Sequence, residues 1–336
     1  MSVVRAATAP GKLILLGEYA VLDGAAAWVS AVDRRVTVEA GPADPSPSLR
    51  VLAPAGADIA LRWEKGAWVA AEPGWELAAG AATLAFGADL PQLKIDSRPF
   101  YLKAADGKLE KAGFGSSSAV VAAILALGKY FDDGDRGKLF ARARAAHHRG
   151  QGNLGSGADI AAAVHGGSFS YSVSENGDPV IEPAPLPEGL FVGAVWAGAA
   201  ASTPFMVARV LEWKAADRAA YDALLSEMTA TAREGVEAAQ AGDIETLCDV
   251  VEMYGRRMAQ LGRSAGIPVF TPFMEDLAGR LAGVAAVKPS GAGGGDTVLV
   301  MAPSGDEPKV RAVLAAVGIE ILPLTFGAPG ARRETD

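Results

Sequence analysis

The longest apolar run of the chain, Ala119 to Gly128, follows directly on Gly113-Phe114-Gly115-Ser116-Ser117-Ser118, and this junction constrains the fold more than any other stretch. The run reads as a helix over Ser117–Tyr130 opened by serines, which are favoured N-cap residues. It is too short to span a bilayer, which takes about 20 apolar residues. The glycines ahead of it let the backbone adopt positive φ and approach a ligand closely. A helix starting there aims free N–H groups and a positive dipole end at whatever lies in front, an arrangement suited to phosphate. A serine hydroxyl at the same place suits Mg²⁺, a hard cation that prefers oxygen. No Gly-Lys-Ser/Thr follows at the spacing of a Walker A loop. The same residues also fit a plain Ser-capped helix after a glycine turn, and the junction alone leaves both readings open.

Three further segments bear on the choice. Ala9-Pro10-Gly11-Lys12-Leu13-Ile14-Leu15-Leu16-Gly17-Glu18-Tyr19 places a lysine at the start of an apolar strand, where it either faces a cleft or is solvated beside a turn. Lys288-Pro289-Ser290-Gly291-Ala292-Gly293-Gly294-Gly295-Asp296 is costly in backbone entropy. Such a run makes sense where backbone passes close to a ligand or another loop, with a flexible hairpin turn as the plainer reading. In His147-His148-Arg149-Gly150-Gln151-Gly152-Asn153-Leu154-Gly155-Ser156-Gly157-Ala158-Asp159, an aspartate opens an apolar helix after a Gly-Ser-Gly turn. That makes Asp159 either a candidate catalytic carboxylate or an ordinary helix N-terminal residue. Adjacent histidines on a helix point apart, so a His-based metal site is not expected.

Half of the 336 residues are hydrophobic, enough for a large packed core. The net charge of −8 argues against a nucleic-acid surface but not against a local cationic cluster that binds an anionic metabolite. Cys248 is the single cysteine, so an intramolecular disulfide is excluded and a reducing, cytoplasmic setting is expected. Cys248 reads as a small core residue. No leader peptide and no membrane span are expected.

The pattern predicts an α+β chain of two domains, residues 1–184 and 185–336. Strands are expected at Leu13–Leu16, Ala26–Val32, Arg35–Ala40, Leu61–Val69, Gln92–Ser97, Ser168–Val173, Phe191–Trp196, Val284–Lys288, Thr297–Ala302 and Ile319–Phe326. Helices are expected at Asp135–Arg149, Ala158–Val164, Pro204–Trp213, Arg218–Ala241, Ile244–Leu261, Pro272–Leu281 and Pro308–Val317. The Pro-rich stretch Pro179–Pro187 reads as the linker. Trp63, Trp68 and Trp75 are irregularly spaced, which favours packing over a sugar-stacking platform.

A Pro-Gly-Lys strand near the N-terminus, a Gly-x-Gly-Ser-Ser helix start and a Ser-Gly-Ala-Gly-Gly-Gly loop, in that order, resemble the GHMP kinases over Ala9 to about Phe326. The resemblance implies an N-terminal ribosomal-protein-S5-like domain, a C-terminal ferredoxin-like domain and an active site between them. It implies ATP phosphates on Gly113, Gly115, Ser116, Ser117 and Ser118, with Mg²⁺ at Ser117 or alternatively Ser116. Lys12 and Asp159 would be catalytic and face the acceptor. Lys111, Arg149, Ser156, Ser290, Gly291, Ala292 and Gly293 would bind substrate. Lys103 and Arg209 are further candidate cations against the two polyanions.

Within the superfamily, three details resemble the phosphomevalonate kinase branch: no proline ahead of Gly113, Gly155-Ser156-Gly157-Ala158-Asp159 in place of Pro-Ser-Gly-x-Asp, and Asp296 after the last glycine. Gln151-Gly152 and the late segment Gly318–Leu322 agree with it, while Asn153 and Ala158 depart from it. The implied reaction is ATP-dependent phosphorylation of (R)-5-phosphomevalonate. The competing readings are mevalonate kinase, with an alcohol acceptor, then mevalonate diphosphate decarboxylase, then a catalytically dead binding relative. A monomer or homodimer without nucleic-acid or membrane partners is expected.

Overall fold

The computed structural model describes residues 6–43, 46–104, 106–128, 131, 135–151, 156–199 and 202–334, of which 43 and 148–151 are described in backbone only. Strand β1 (Ala6–Leu16) lies antiparallel to the long β2 (Ala27–Ala43), which fuses the two expected strands into one. The register of β1 on β2 shifts between Pro10 and Gly11. Proline has no N–H to give to the ladder, so a bulge there is the expected response. Beyond the bulge the Lys12 N–H donates to the carbonyl of Phe114 at 2.9 Å, so this strand is tied to the glycine loop as well as to β2.

The first sheet grows outward from β2. Strand β3 (Ser48–Val51) and the hairpin of β4 (Ala57–Glu64) and β5 (Ala67–Ala70) lie toward one edge. The single strand expected at Leu61–Val69 is therefore two, because Lys65 and Gly66 both take positive φ and turn the chain. Trp63 and Trp68 face each other across this hairpin with ring centroids 5.1 Å apart, edge to face, as a packed cross-strand pair. Helix α1 (Glu76–Phe86), an Ala-rich segment that the pattern did not single out, precedes β6 (Pro91–Asp96), and a small hairpin of β7 (Tyr101–Lys103) and β8 (Leu109–Lys111) follows.

Helices α2 (Ser116–Leu127), α3 (Arg136–Gln151) and α4 (Ala158–His165) then pack together, with α2 and α4 against β1 and β2. Every residue of α2 from Ser118 to Leu127 is buried, as an all-apolar helix must be in water. The sheet closes with β9 (Ser168–Val173) and β10 (Pro179–Pro183), giving the order β10-β9-β2-β6-β3-β4-β5 with β1 also on β2. Part of the stretch expected to be a linker is thus the edge strand β10. Proline is tolerated there because an edge strand needs only half of its N–H groups for pairing.

The second half begins with β11 (Leu190–Trp196), followed by α5 (Thr203–Ala216), α6 (Arg218–Ala241), α7 (Ile244–Ala265) and α8 (Pro272–Arg280). Asp217, Asp243 and Thr271 cap α6, α7 and α8 through their side chains. Strands β12 (Ala286–Pro289) and β13 (Thr297–Pro303) flank the third glycine loop and form the antiparallel sheet β11-β13-β12, with helix α9 (Glu307–Ala315) after it.

Ile319–Phe326 was expected to be a strand. Its residues 319–325 form no regular strand: Leu322 N–H donates to the Ala194 carbonyl at 2.8 Å and the Thr325 carbonyl accepts from the Asp33 N–H at 3.2 Å, and Pro323 interrupts any ladder between them. The tail then returns to the first sheet. Phe326 bridges to Val32, Pro329 to Gly166, and β14 (Arg332–Glu334) pairs with β1, so the end of the chain rejoins the first sheet.

Candidate active site

The amino-terminal turn of α2 differs from its expectation in one respect that matters for chemistry. Its N-cap is Gly115, in the left-handed region at φ 74°, and no side chain caps the helix. The serines are the first helical residues instead. Their backbone N–H groups are left without a side-chain acceptor, which is the arrangement that binds an anion. Ser116 is half-buried and Ser117 exposed, whereas Ser118 is fully buried.

Ser118 points inward and donates its hydroxyl to Asp159 Oδ2 at 2.5 Å. Asp159 lies in the first turn of α4, whose N-cap is Gly157, again left-handed and without a side-chain cap. Its Oδ1 accepts from the Ile160 N–H at 2.9 Å, and His147 Nε2 stands 3.9 Å from Oδ2. Two helix N-termini therefore meet, one carrying the carboxylate and the other the hydroxyl that orients it.

Lys12 completes this corner. A Cβ placed on Gly115 would lie 3.3 Å from Lys12 Cε and 3.8 Å from Asp159 Cβ. The lysine stem and the aspartate thus flank the same glycine, and the missing side chain is the space that lets them do so. Lys12 and Asp159, set far apart in sequence, are brought together with Gly115.

The third glycine loop closes over the same corner. Gly113 takes φ 81°, and a Cβ there would stand 2.6 Å from Asp296 Cβ. Thr297 donates to the Ala112 carbonyl at 2.6 Å, so β13 and the segment that leads into α2 are joined. Ser290 is buried, and its hydroxyl bonds both backbone groups of Ile14, at 2.9 Å from the N–H and 3.0 Å to the carbonyl. The Ala292 carbonyl accepts from Tyr19 at 2.5 Å, the Gly291 N–H faces Glu18 Oε1 at 3.4 Å, and Gly293 packs on Val269. These four residues, expected at the substrate, here fasten the loop to β1 and to neighbouring backbone.

The remaining candidates scatter. Ser156 Oγ accepts from the Ala158 N–H at 3.3 Å, and its carbonyl accepts from Tyr171 at 2.6 Å. It also lines a cavity of about 600 Å³ with Val21, Leu22, Gly24 and Arg144. Lys103 and Lys111 are exposed on the β7–β8 hairpin, and Arg209 is ion-paired with Glu212. The Arg149 side chain and residues 152–155 lie outside the described residues. Ser118 was expected at the phosphates and His147 was weighed only as a metal ligand, while no local signal marked Tyr171; the partners of all three come from other elements. The Ser118–Asp159 spacing has meaning only once α2 and α4 touch.

Among the described residues no cluster of three or more His, Cys, Asp or Glu side chains is gathered as a metal cage. Mg²⁺ normally takes few protein oxygens and completes its shell with phosphate and water. Ser117, exposed in the first turn of the uncapped helix, fits that mode. No described helix is long and apolar enough to cross a membrane.

The chain is 28% identical to the phosphomevalonate kinase of Streptomyces sp. strain CL190, with 96% of this chain and 97% of that protein covered. Its fold matches the Lin0012 protein from Listeria innocua at a TM-score of 0.82, with 24% identity over 98% of this chain and 99% of the other. It also matches Streptococcus pneumoniae phosphomevalonate kinase in complex with phosphomevalonate and AMPPNP at 0.76, with 21% identity over 96% and 99%. The family model for the GHMP kinases N terminal domain matches residues 78–167, and the model for the GHMP kinases C terminal matches residues 236–320. With both halves of the family signature present in order on a fold of the same kind, the chain belongs to the GHMP kinase family.

Proposed function

We propose that this protein transfers the γ-phosphoryl group of ATP to the phosphate of (R)-5-phosphomevalonate, giving the 5-diphosphate and ADP. The observation that carries the reading is the meeting of Lys12 and Asp159 at Gly115, the N-cap of α2, which no side chain caps. Phosphoryl transfer asks a protein chiefly for positioning and charge stabilisation. The N–H groups of Ser116 and Ser117 hold phosphate oxygens of ATP, and Lys12 places a cation where negative charge is shared between acceptor and γ-phosphate. Mg²⁺, held on the protein side by the Ser117 hydroxyl, supplies charge neutralisation to the ATP phosphates when bound. An acceptor oxygen forms the new P–O bond as the bond from the γ-phosphorus to the bridging oxygen breaks, and ADP carries that electron pair away.

Asp159, oriented by Ser118, fixes Lys12 and the acceptor. An acceptor phosphate is already ionised at neutral pH, so Asp159 need not remove a proton from it. With an alcohol acceptor, as in a mevalonate kinase, it would have to act as a general base. The relative named phosphomevalonate kinase, matched across nearly its full length, supports the phosphate acceptor. We place the enzyme in the cytoplasm as a monomer or homodimer, in keeping with its lone cysteine.

The test is ADP release, coupled to NADH oxidation, with mevalonate, phosphomevalonate and mevalonate diphosphate offered separately with MgATP. Turnover of phosphomevalonate well above the other two is expected. Equal or faster turnover of mevalonate would move the assignment to the alcohol acceptor.

A further inference from the structure

Close to this corner the molecule buries a pair of opposite charges that the phosphoryl transfer described above does not use. Lys288, on β12, is 0% exposed at its side chain and Glu18, just past the end of β1, is 1% exposed, with Nζ 2.5 Å from Oε1. Lys288 Nζ also donates to the Pro289 carbonyl at 2.7 Å, and the Tyr254 hydroxyl on α7 holds the Glu18 carbonyl at 2.6 Å. Glu18 Oε2 is buried with no hydrogen-bond partner. Burial pushes the Glu18 carboxyl up and the Lys288 ammonium down, and the charge of Lys12 adds to the second effect, so Lys12 lies within electrostatic reach of the pair.

Stability gives little reason for such a pair. Buried ion pairs can often be replaced by apolar groups without loss, and a half-satisfied polar group is costly. Ser290 and Tyr19 already fasten the glycine loop to this region without any charge. What distinguishes the pair is its place. Glu18 lies two residues beyond the strand that carries Lys12, and Lys288 immediately precedes the loop that closes on Gly113. It is the charged link between the lysine-bearing strand and the second sheet.

We propose that Lys288, through Glu18, is a positioning residue for phosphoryl transfer, holding the end of β1 and with it the Lys12 ammonium in register with the N-terminus of α2. The inference rests on the kinase reading but not on which acceptor is used. The double variant Glu18→Gln/Lys288→Met removes both charges and leaves no buried charge unpaired. It should fold with a Tm close to the parent and keep its KM for ATP. Its kcat should fall at least about tenfold, since a misplacement of about 1 Å can cost about 100-fold. Lys288→Arg, which keeps the charge, should lose less than the double variant.

Tyr254→Phe is a second arm should the double variant fail to fold. It deletes only the hydroxyl on the Glu18 carbonyl, and a kcat loss of about threefold or more at unchanged KM is expected, by the same positional argument. A folded double variant with parental kcat, or parental kcat in Tyr254→Phe where the double cannot be made, overturns the proposal. All rates are taken as ratios to the parent on its preferred acceptor. An active parent with unaffected variants therefore sinks this inference alone, whereas a parent without phosphotransfer sinks the kinase reading and this inference with it.

Discussion

Replacing Ser118 by alanine removes one oxygen, and the structure sets what that oxygen is worth. Ser118 is fully buried, and its loss leaves Asp159 Oδ2 without the hydroxyl that donates to it. Asp159 keeps the Ile160 N–H on Oδ1, while His147 stands 3.9 Å from Oδ2, beyond hydrogen-bond reach. A hydrogen bond to a charged group is worth about 1.5–3 kcal/mol. If that orientation is needed in the transition state, the loss converts to about 10- to 150-fold in kcat, at about 1.4 kcal/mol per tenfold. The fold should tolerate the change, because alanine is the better helix former by about 0.5 kcal/mol and only one atom is removed from the core. Steady-state kinetics with saturating acceptor should show kcat reduced by that factor and the KM for ATP nearly unchanged, with a thermal melt within a few degrees of the parent. A folded Ser118→Ala enzyme with kcat within twofold of the parent would refute the reasoning and reduce Ser118 to a packing residue.

Two further outcomes follow from the same geometry. Lys12→Met and Asp159→Asn should each lower kcat by about 100-fold or more, and the double variant should fall well short of the product, because groups acting as a unit are not additive; stopped or single-turnover rates on the three variants check this. Cys248 has its thiol pushed up to about 11, by burial first and then by Asp249 and Asp306. Since the thiolate is the reactive form, alkylation at pH 8 should run about two orders of magnitude slower than for a free cysteine and should accelerate as the pH rises toward that value; mass-spectrometric labelling against pH measures it, and fast labelling at pH 8 in the folded protein would contradict the burial.

Local chemistry makes much of this protein legible in its sequence. An apolar run after Gly-Phe-Gly-Ser-Ser-Ser has to be a buried helix with its N-terminus on a glycine turn, and α2 is that helix. The amphipathic pattern of the second half marks α6 and α7 within a few residues of their ends, since a period of about 3.6 and an Asp cap are properties of the segment itself. Other features depend on what a segment meets. Proline at 179 and 183 reads as a linker until β9 offers it an edge to pair with, and the apolar residues of 319–325 read as a strand until Pro323 denies them a ladder. The partition of roles inside each motif was likewise decided in three dimensions. Ser118 points inward to Asp159, Ser290 fastens a loop to Ile14, and Lys288 meets Glu18 across 270 positions of sequence. Helix periodicity and caps follow from neighbours along the chain, whereas an edge strand and the partner of a buried hydroxyl or charge depend on whichever element packs against them. That is why the motifs could be found in the sequence, while the atoms with which they act could be assigned only from the fold.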